Sequence, residues 1–173
     1  PVARPGAACQ ASPLPPAATF GVSGALATAP WEPREVEVAE VGGQRVRALG
    51  VPADPRRLSL HAHGAQPCGD TSGTVLLAGH VSSGGVRGVL WGLASLPAGA
   101  TAQLTCADGT LTHWRLAKVW ATGKADLPQD VFRATGRRRL VVVTCGGAVG
   151  ADGHYASNVV VSEGRPNDPD AAR

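Results

Sequence analysis

Glycine and proline break this chain so often that a long helix has no room to form. The 173 residues hold 23 glycines and 14 prolines, close to the share that marks disordered chains. Here they punctuate short runs rich in Val and Leu, the pattern of a turn-rich all-β domain. No segment supports a helix of more than two or three turns, and no internal repeat is present. The length suits one domain of ordinary size with a full core.

Several strands can be placed. Glu35–Ala39 alternates charged and apolar residues, Gly42-Gly43 turns the chain, and Gln44–Leu49 alternates again, which predicts a hairpin. Residues 52–73 concentrate Pro, Asp and Gly and read mostly as loop. Val89–Leu93 suits either a helical turn or a strand. Thr101–Cys106 alternates strictly, Asp108-Gly109 forms a tight turn, and Thr110–Val119 returns with Thr112, Trp114 and Leu116 on one face. The parity shifts after Ala117, which predicts a bulge. A short helix is expected near Asp126-Leu127-Pro128, and Val159–Ser162 forms the last strand. Residues 1–30, rich in Ala and Pro, read as a linker or stalk, leaving 31–173 as the folded domain.

Charge and composition exclude some functions. The net charge of +3 is mild, and basic residues cluster only at Arg137-Arg138-Arg139. One Tyr and two Phe make no stacking platform for bases, so nucleic acid is not the expected partner. No apolar run approaches the roughly 20 residues of a membrane span. The chain has no Met, which reads as a processed or truncated fragment.

Two strands carry the chemistry. Leu140-Val141-Val142-Val143 is an apolar run buried on both faces, ended by Thr144-Cys145 and turned by Gly146-Gly147. A thiol fixed at a rigid strand end is well placed for a nucleophile, although a single buried Cys is more often a small core residue. Thr74–Val81 is a second apolar strand and ends in Gly79-His80. One strand-end Cys and one strand-end His together suggest a Cys–His nucleophilic pair.

Leu77-Ala78-Gly79-His80 before Val81-Ser82-Ser83, the Thr144-Cys145-Gly146-Gly147 ending, and Tyr155-xx-Asn158-Val159-Val160-Val161 resemble the sortase family, more narrowly its actinobacterial class F members. The order His then Cys, 65 residues apart, fits that family, and the likeness runs from about Glu35 to Glu163. It implies a closed β-barrel of about eight strands with short helices in loops. It implies a cysteine transpeptidase that cleaves a C-terminal Leu-Pro-x-Thr-Gly-type signal of a secreted protein after the Thr. The acyl group then passes to an amine acceptor, a cell-wall precursor or a pilin lysine, without metal or cofactor. It also implies a helical membrane tether, lost ahead of Pro1, that holds the enzyme on the outer face of the cytoplasmic membrane.

Within the resemblance, Cys145 supplies the thiolate, and His80 acts as general acid and then base. The family generally places an Arg near the start of its last barrel strand, but no Arg lies between Cys145 and Gly164. Asn158 stands at the expected place, and its amide can donate to an oxyanion without adding charge. An ordinary strand-start role for Asn158, bonded to its own backbone, remains open. Arg87 could reach in from a loop. Arg165 lies seven residues beyond Asn158, roughly 23 Å along an extended strand.

The remaining candidates are weaker. His61 and His63 have a spacing that can bind zinc, yet no third ligand completes a pattern, so surface histidines are expected. His113 and His154 adjoin turns, and Asp108 belongs to the turn at Gly109. Cys106 suits a core thiol and Cys9–Cys68 is chemically allowed, but spacing selects no pairing. Two other readings stay open. One is a catalytically impaired sortase-fold protein that only binds peptides, suggested by the missing Arg. The other is an L,D-transpeptidase, whose Ser-x-Gly-Cys surroundings are replaced here by Val142-Val143-Thr144-Cys145.

Overall fold

The computed structural model describes residues 18–156 and 158–166, and of residues 158–162 the backbone alone. The strands are β1 (Thr19–Val22), β2 (Leu26–Arg34), β3 (Val36–Val41), β4 (Gln44–Leu49), β5 (Leu58–His61) and β6 (Thr74–Gly79). Then come β7 (Ser82–Ser83), β8 (Val86–Arg87), β9 (Thr101–Thr105), β10 (Leu111–Gly123), β11 (Arg139–Gly146) and β12 (Asn158–Pro166). Eight of them close into a barrel in the order β1-β2-β5-β6-β11-β12-β10-β9. Closure leaves the barrel itself without an unpaired edge. β2 and β6 run parallel to β5 and β11 respectively, and the other barrel neighbours are antiparallel.

The pleat sorts β6 and β11 onto two faces. Val75, Leu77, Leu140 and Val142 fill the barrel with Phe20, Leu58, Leu60, Leu104, Trp114 and Leu116. Leu76 and Val141 point outward, where they meet Val131 and Phe132, with Val36, Leu49, Leu127 and Val143 packed against them. Burying each such Leu or Val contributes about 1.5–3 kcal/mol of transfer free energy. That second layer explains the unbroken apolar runs, since both faces of β6 and β11 need cover. The β3–β4 hairpin and a 3-10 turn at Gln129–Phe132 supply it.

Several expectations hold in detail. The hairpin turns at Gly42-Gly43, the helical turn after Pro128 is the 3-10 turn, and the β10–β12 register slips between Leu116 and Lys118, a bulge at Ala117. One boundary needs correction. The barrel begins at Thr19, so a boundary at residue 30 falls inside β2; Phe20, Val22 and Ala29 are buried among its residues. The stretch 52–73 is mostly loop, as expected, and within it lies β5, four residues all buried, hidden in the sequence because its Leu58/Leu60 alternation is so short. Of the two readings of Val89–Leu93 the turn holds, and it leads into 3-10 residues Leu93–Ser95.

Cys106 is not a core thiol. It is disulfide-bonded to Cys68 with Cα atoms 6.4 Å apart, inside the span a disulfide bridges. The loop before β6 has come against the β9–β10 turn, where Cys68 also contacts the Thr110 carbonyl. Cys9 lies outside the described residues. The crosslink joins positions 38 apart, which in a chain-entropy account stabilises the fold by about 4 kcal/mol. Replacing both cysteines by Ala, in a Cys145→Ala background that removes the reactive thiol, should lower the unfolding free energy by about 2–4 kcal/mol. Chemical denaturation measures this, and an unchanged midpoint would show that the crosslink adds nothing.

Candidate active site

β6 and β11 bring the two strand-end residues together. Their parallel register keeps one offset from Arg139↔Thr74 to Val143↔Ala78. Thr144 Oγ1 donates to the Gly79 carbonyl at 2.8 Å and extends that register by one residue. The next level is Cys145 beside His80, on strands about 4.8 Å apart. Alternation carries both to the outer face, with Leu76, Ala78 and Val143. Cys145 is a half-buried free thiol. Gly147, with φ of 79°, turns the chain away at once in a conformation that a side chain would strain.

The imidazole of His80 is oriented by the backbone. Its Nε2 lies 2.7 Å from the Pro52 carbonyl. A carbonyl only accepts, so Nε2 carries the proton, and Nδ1 is the nitrogen left for proton exchange. The main chain is clamped as well: Leu90 N–H donates to the His80 carbonyl at 3.2 Å. A Cβ on Gly88 would collide with that same carbonyl oxygen, so only glycine lets the segment just after β8 pack there.

Cys145 sits between two hollows. The larger is a groove of ≈ 320 Å³ shared with His80. Its floor is the outer face of β6 and β11. Val41, Val46, Arg47 and Leu49 of the β3–β4 hairpin form one wall, and Lys124, Leu127 and Phe132 line it as well. The smaller hollow, ≈ 210 Å³, lies among Trp91, Ala94, Gly146, Gly147 and Tyr155. The Tyr155 hydroxyl is tied to Ser82 Oγ at 2.6 Å. One Cys is therefore reachable from an apolar groove and from a second opening, an arrangement that suits a two-substrate transfer.

The other candidates fall away from this centre. Arg87 lies on β8 with its guanidinium 4.7 Å over the Trp91 ring, and neither hollow has it in its wall. Arg165 pairs with Arg115, next to the Leu140–Gly164 pair at the far end of β11. The backbone of Asn158 pairs with Gly146 and Gly123, one residue past the Cys145–Val159 pair; its side chain lies outside the described part.

His61 is not a surface residue. It is 3% exposed and meets the Phe132 ring edge-on at 5.8 Å. Burial holds its pKa below the ordinary value, and the positive charge of Arg47 adds to the effect. His63 is exposed and paired with Glu35 at 2.8 Å. Among the described residues no cluster of metal-ligating side chains occurs. His113 and His154 are exposed. Asp108 accepts from Thr110 N–H at 2.9 Å, and hydrogen bonds with Thr110 lower its pKa.

No sequence signal marks the hairpin as a wall of the site. Arg47, Lys124 and Phe132 were missed because they come from segments far from both strand ends. The available clue was that β11 needs cover on both faces.

A sortase domain family model matches residues 36–164. No curated protein matches the chain. The fold is similar to that of Streptococcus agalactiae sortase C1 (TM-score 0.63, 12% identity, 87% of this chain and 68% of that one). It is also similar to sortase A from Corynebacterium diphtheriae (TM-score 0.63, 13% identity, 88% of this chain and 60% of that one). Sortase C-1 from Actinomyces oris aligns likewise (TM-score 0.62, 14% identity, 87% of this chain and 73% of that one). At such identities the likeness is one of fold.

Proposed function

This chain belongs to the sortase family of cysteine transpeptidases, and from that premise we propose that it cleaves a Leu-Pro-x-Thr-Gly-type sorting signal and transfers the acyl part to an amine. The carrying observation is the groove that Cys145 and His80 share. Its Val, Leu, Ala and Phe lining suits an extended apolar peptide, which gains affinity as that surface leaves water.

In the proposed reaction the Cys145 thiolate attacks the Thr carbonyl, and the Thr–Gly bond breaks. Protonated His80 gives its Nδ1 proton to the departing Gly amine, leaving a thioester on Sγ. The acceptor amine then attacks that thioester. His80 takes its proton, and Cys145 leaves as thiolate. The smaller hollow beside Cys145 gives the acceptor a path while the acyl chain fills the groove. Substrates of this kind are secreted proteins, and the acceptor is a cell-wall precursor or a pilin lysine on the cell surface. The Cys68–Cys106 disulfide suits an extracytoplasmic setting. No helix among the described residues is long and apolar enough to cross a membrane; the tether and the class F subtype are carried by the sequence resemblance.

Oxyanion stabilisation is assigned to Asn158, at the head of β12 beside Gly146. Asn158→Ala should cut kcat by about 10²–10³, the usual cost of one donor, with little change in stability. Asn158→Arg should retain or raise activity. Unchanged kinetics in the Ala variant would remove Asn158 from the mechanism. A second reading, a peptide binder without turnover, is favoured by the lack of any Arg between Cys145 and Gly164. Incubation with a Leu-Pro-x-Thr-Gly peptide library and an amine decides between them. Ligated product supports the transpeptidase, and binding without product supports the alternative.

A further inference from the structure

We infer that Arg47 is a substrate-binding residue, and that it selects an acidic side chain immediately upstream of the segment held in the groove. The inference rests on the sortase reading of that groove and adds a specificity it does not contain. The guanidinium of Arg47 lies 4.6 Å over the ring of Phe132, which is itself 4% exposed. Stacking on that fixed ring orients the guanidinium and leaves its N–H edge open, the geometry that grips a carboxylate with two hydrogen bonds.

No described residue takes that edge. Among the described residues no carboxylate forms an ion pair with Arg47. Across the hairpin, Glu40 stands opposite Arg45, and Arg47 is opposite Val38. The groove counts Arg47 and Lys124 in its lining and no Asp or Glu. A mostly apolar cleft with a fixed, unpaired cation favours an apolar peptide carrying one negative charge.

The register places that charge. Phe132 touches His61, and His61 follows Leu60, which pairs with Leu77. Arg47 is therefore near the level of Leu76, four residues before His80 on β6, about 13 Å at strand spacing. An extended peptide with its scissile carbonyl at Cys145 brings to Arg47 the residue four positions upstream. For a Leu-Pro-x-Thr-Gly signal, that is the residue just before the Leu.

Peptides with Glu, Gln or Lys before Leu-Pro-x-Thr-Gly test this. The wild-type chain should prefer Glu over Gln by about five- to tenfold in kcat/KM, carried by KM, as suits a partly exposed charge-assisted contact. Arg47→Gln should erase the preference, and Arg47→Glu should shift it to Lys. The same peptides, fluorescently labelled, are also measured by anisotropy on the Cys145→Ala variant. Equal values for Glu, Gln and Lys on an Arg47-intact chain, or a Glu preference that survives in Arg47→Gln, would overturn the assignment. If no peptide is turned over, the transpeptidase reading fails, and the anisotropy arm alone then upholds or rejects Arg47.

Discussion

Replacing Cys145 with Ala is expected to abolish cleavage and ligation, by roughly 10⁴ or more, the scale on which covalent catalysis collapses when its nucleophile is removed. Among the described residues no other thiol can stand in. Cys68 and Cys106 are consumed in a disulfide, and Cys145 is the free cysteine among the described residues. Its half-buried place at a strand end limits the structural cost to about 1 kcal/mol or less. An Ala variant with unchanged denaturation and no activity would therefore report chemistry and not misfolding. Residual turnover near the wild-type rate would remove the covalent mechanism altogether.

The second large effect is expected at His80. His80→Ala should lower kcat by at least about 10², the contribution of a positioned acid–base group. Proton transfer to the leaving amine and from the incoming amine both pass through the one imidazole, so both half-reactions should slow. Its main-chain anchor, the Leu90 N–H bond to the His80 carbonyl, does not depend on the side chain and should keep the loop in place. Single-turnover measurement of acylation, with thioester breakdown followed separately, would check this. Loss confined to one step would show that a second group serves the other.

The two strand ends were legible in sequence because their signal is local. An apolar run ending in Thr144-Cys145-Gly146-Gly147 or in Gly79-His80 encodes both the strand and its stop. The constant β6–β11 offset then brings together what the sequence keeps 65 residues apart. The bulge at Ala117 was readable for the same reason, since a change of parity is visible within a few residues. What covers β6 and β11 was not readable. Phe132 and Arg47 meet through tertiary packing, and no periodicity in either segment names its partner. Nor does Cys spacing choose a pairing, whereas the folded chain sets Cys68 and Cys106 within bonding reach. Residues 18–30 read as linker because they continue an Ala- and Pro-rich stretch, yet pairing of β1 with β9 overrides weak propensity once Phe20 and Val22 find the core.

The central claim is that Cys145 carries the acyl group. Intact-protein mass spectrometry of the wild-type chain, quenched soon after mixing with a Leu-Pro-x-Thr-Gly peptide, tests it most directly. The expected result is a mass increase equal to the peptide fragment ending in Thr, mapped to Cys145, removed by hydroxylamine and absent in Cys145→Ala. A peptide consumed with no adduct at any time, or an equal adduct on the Ala variant, would contradict it.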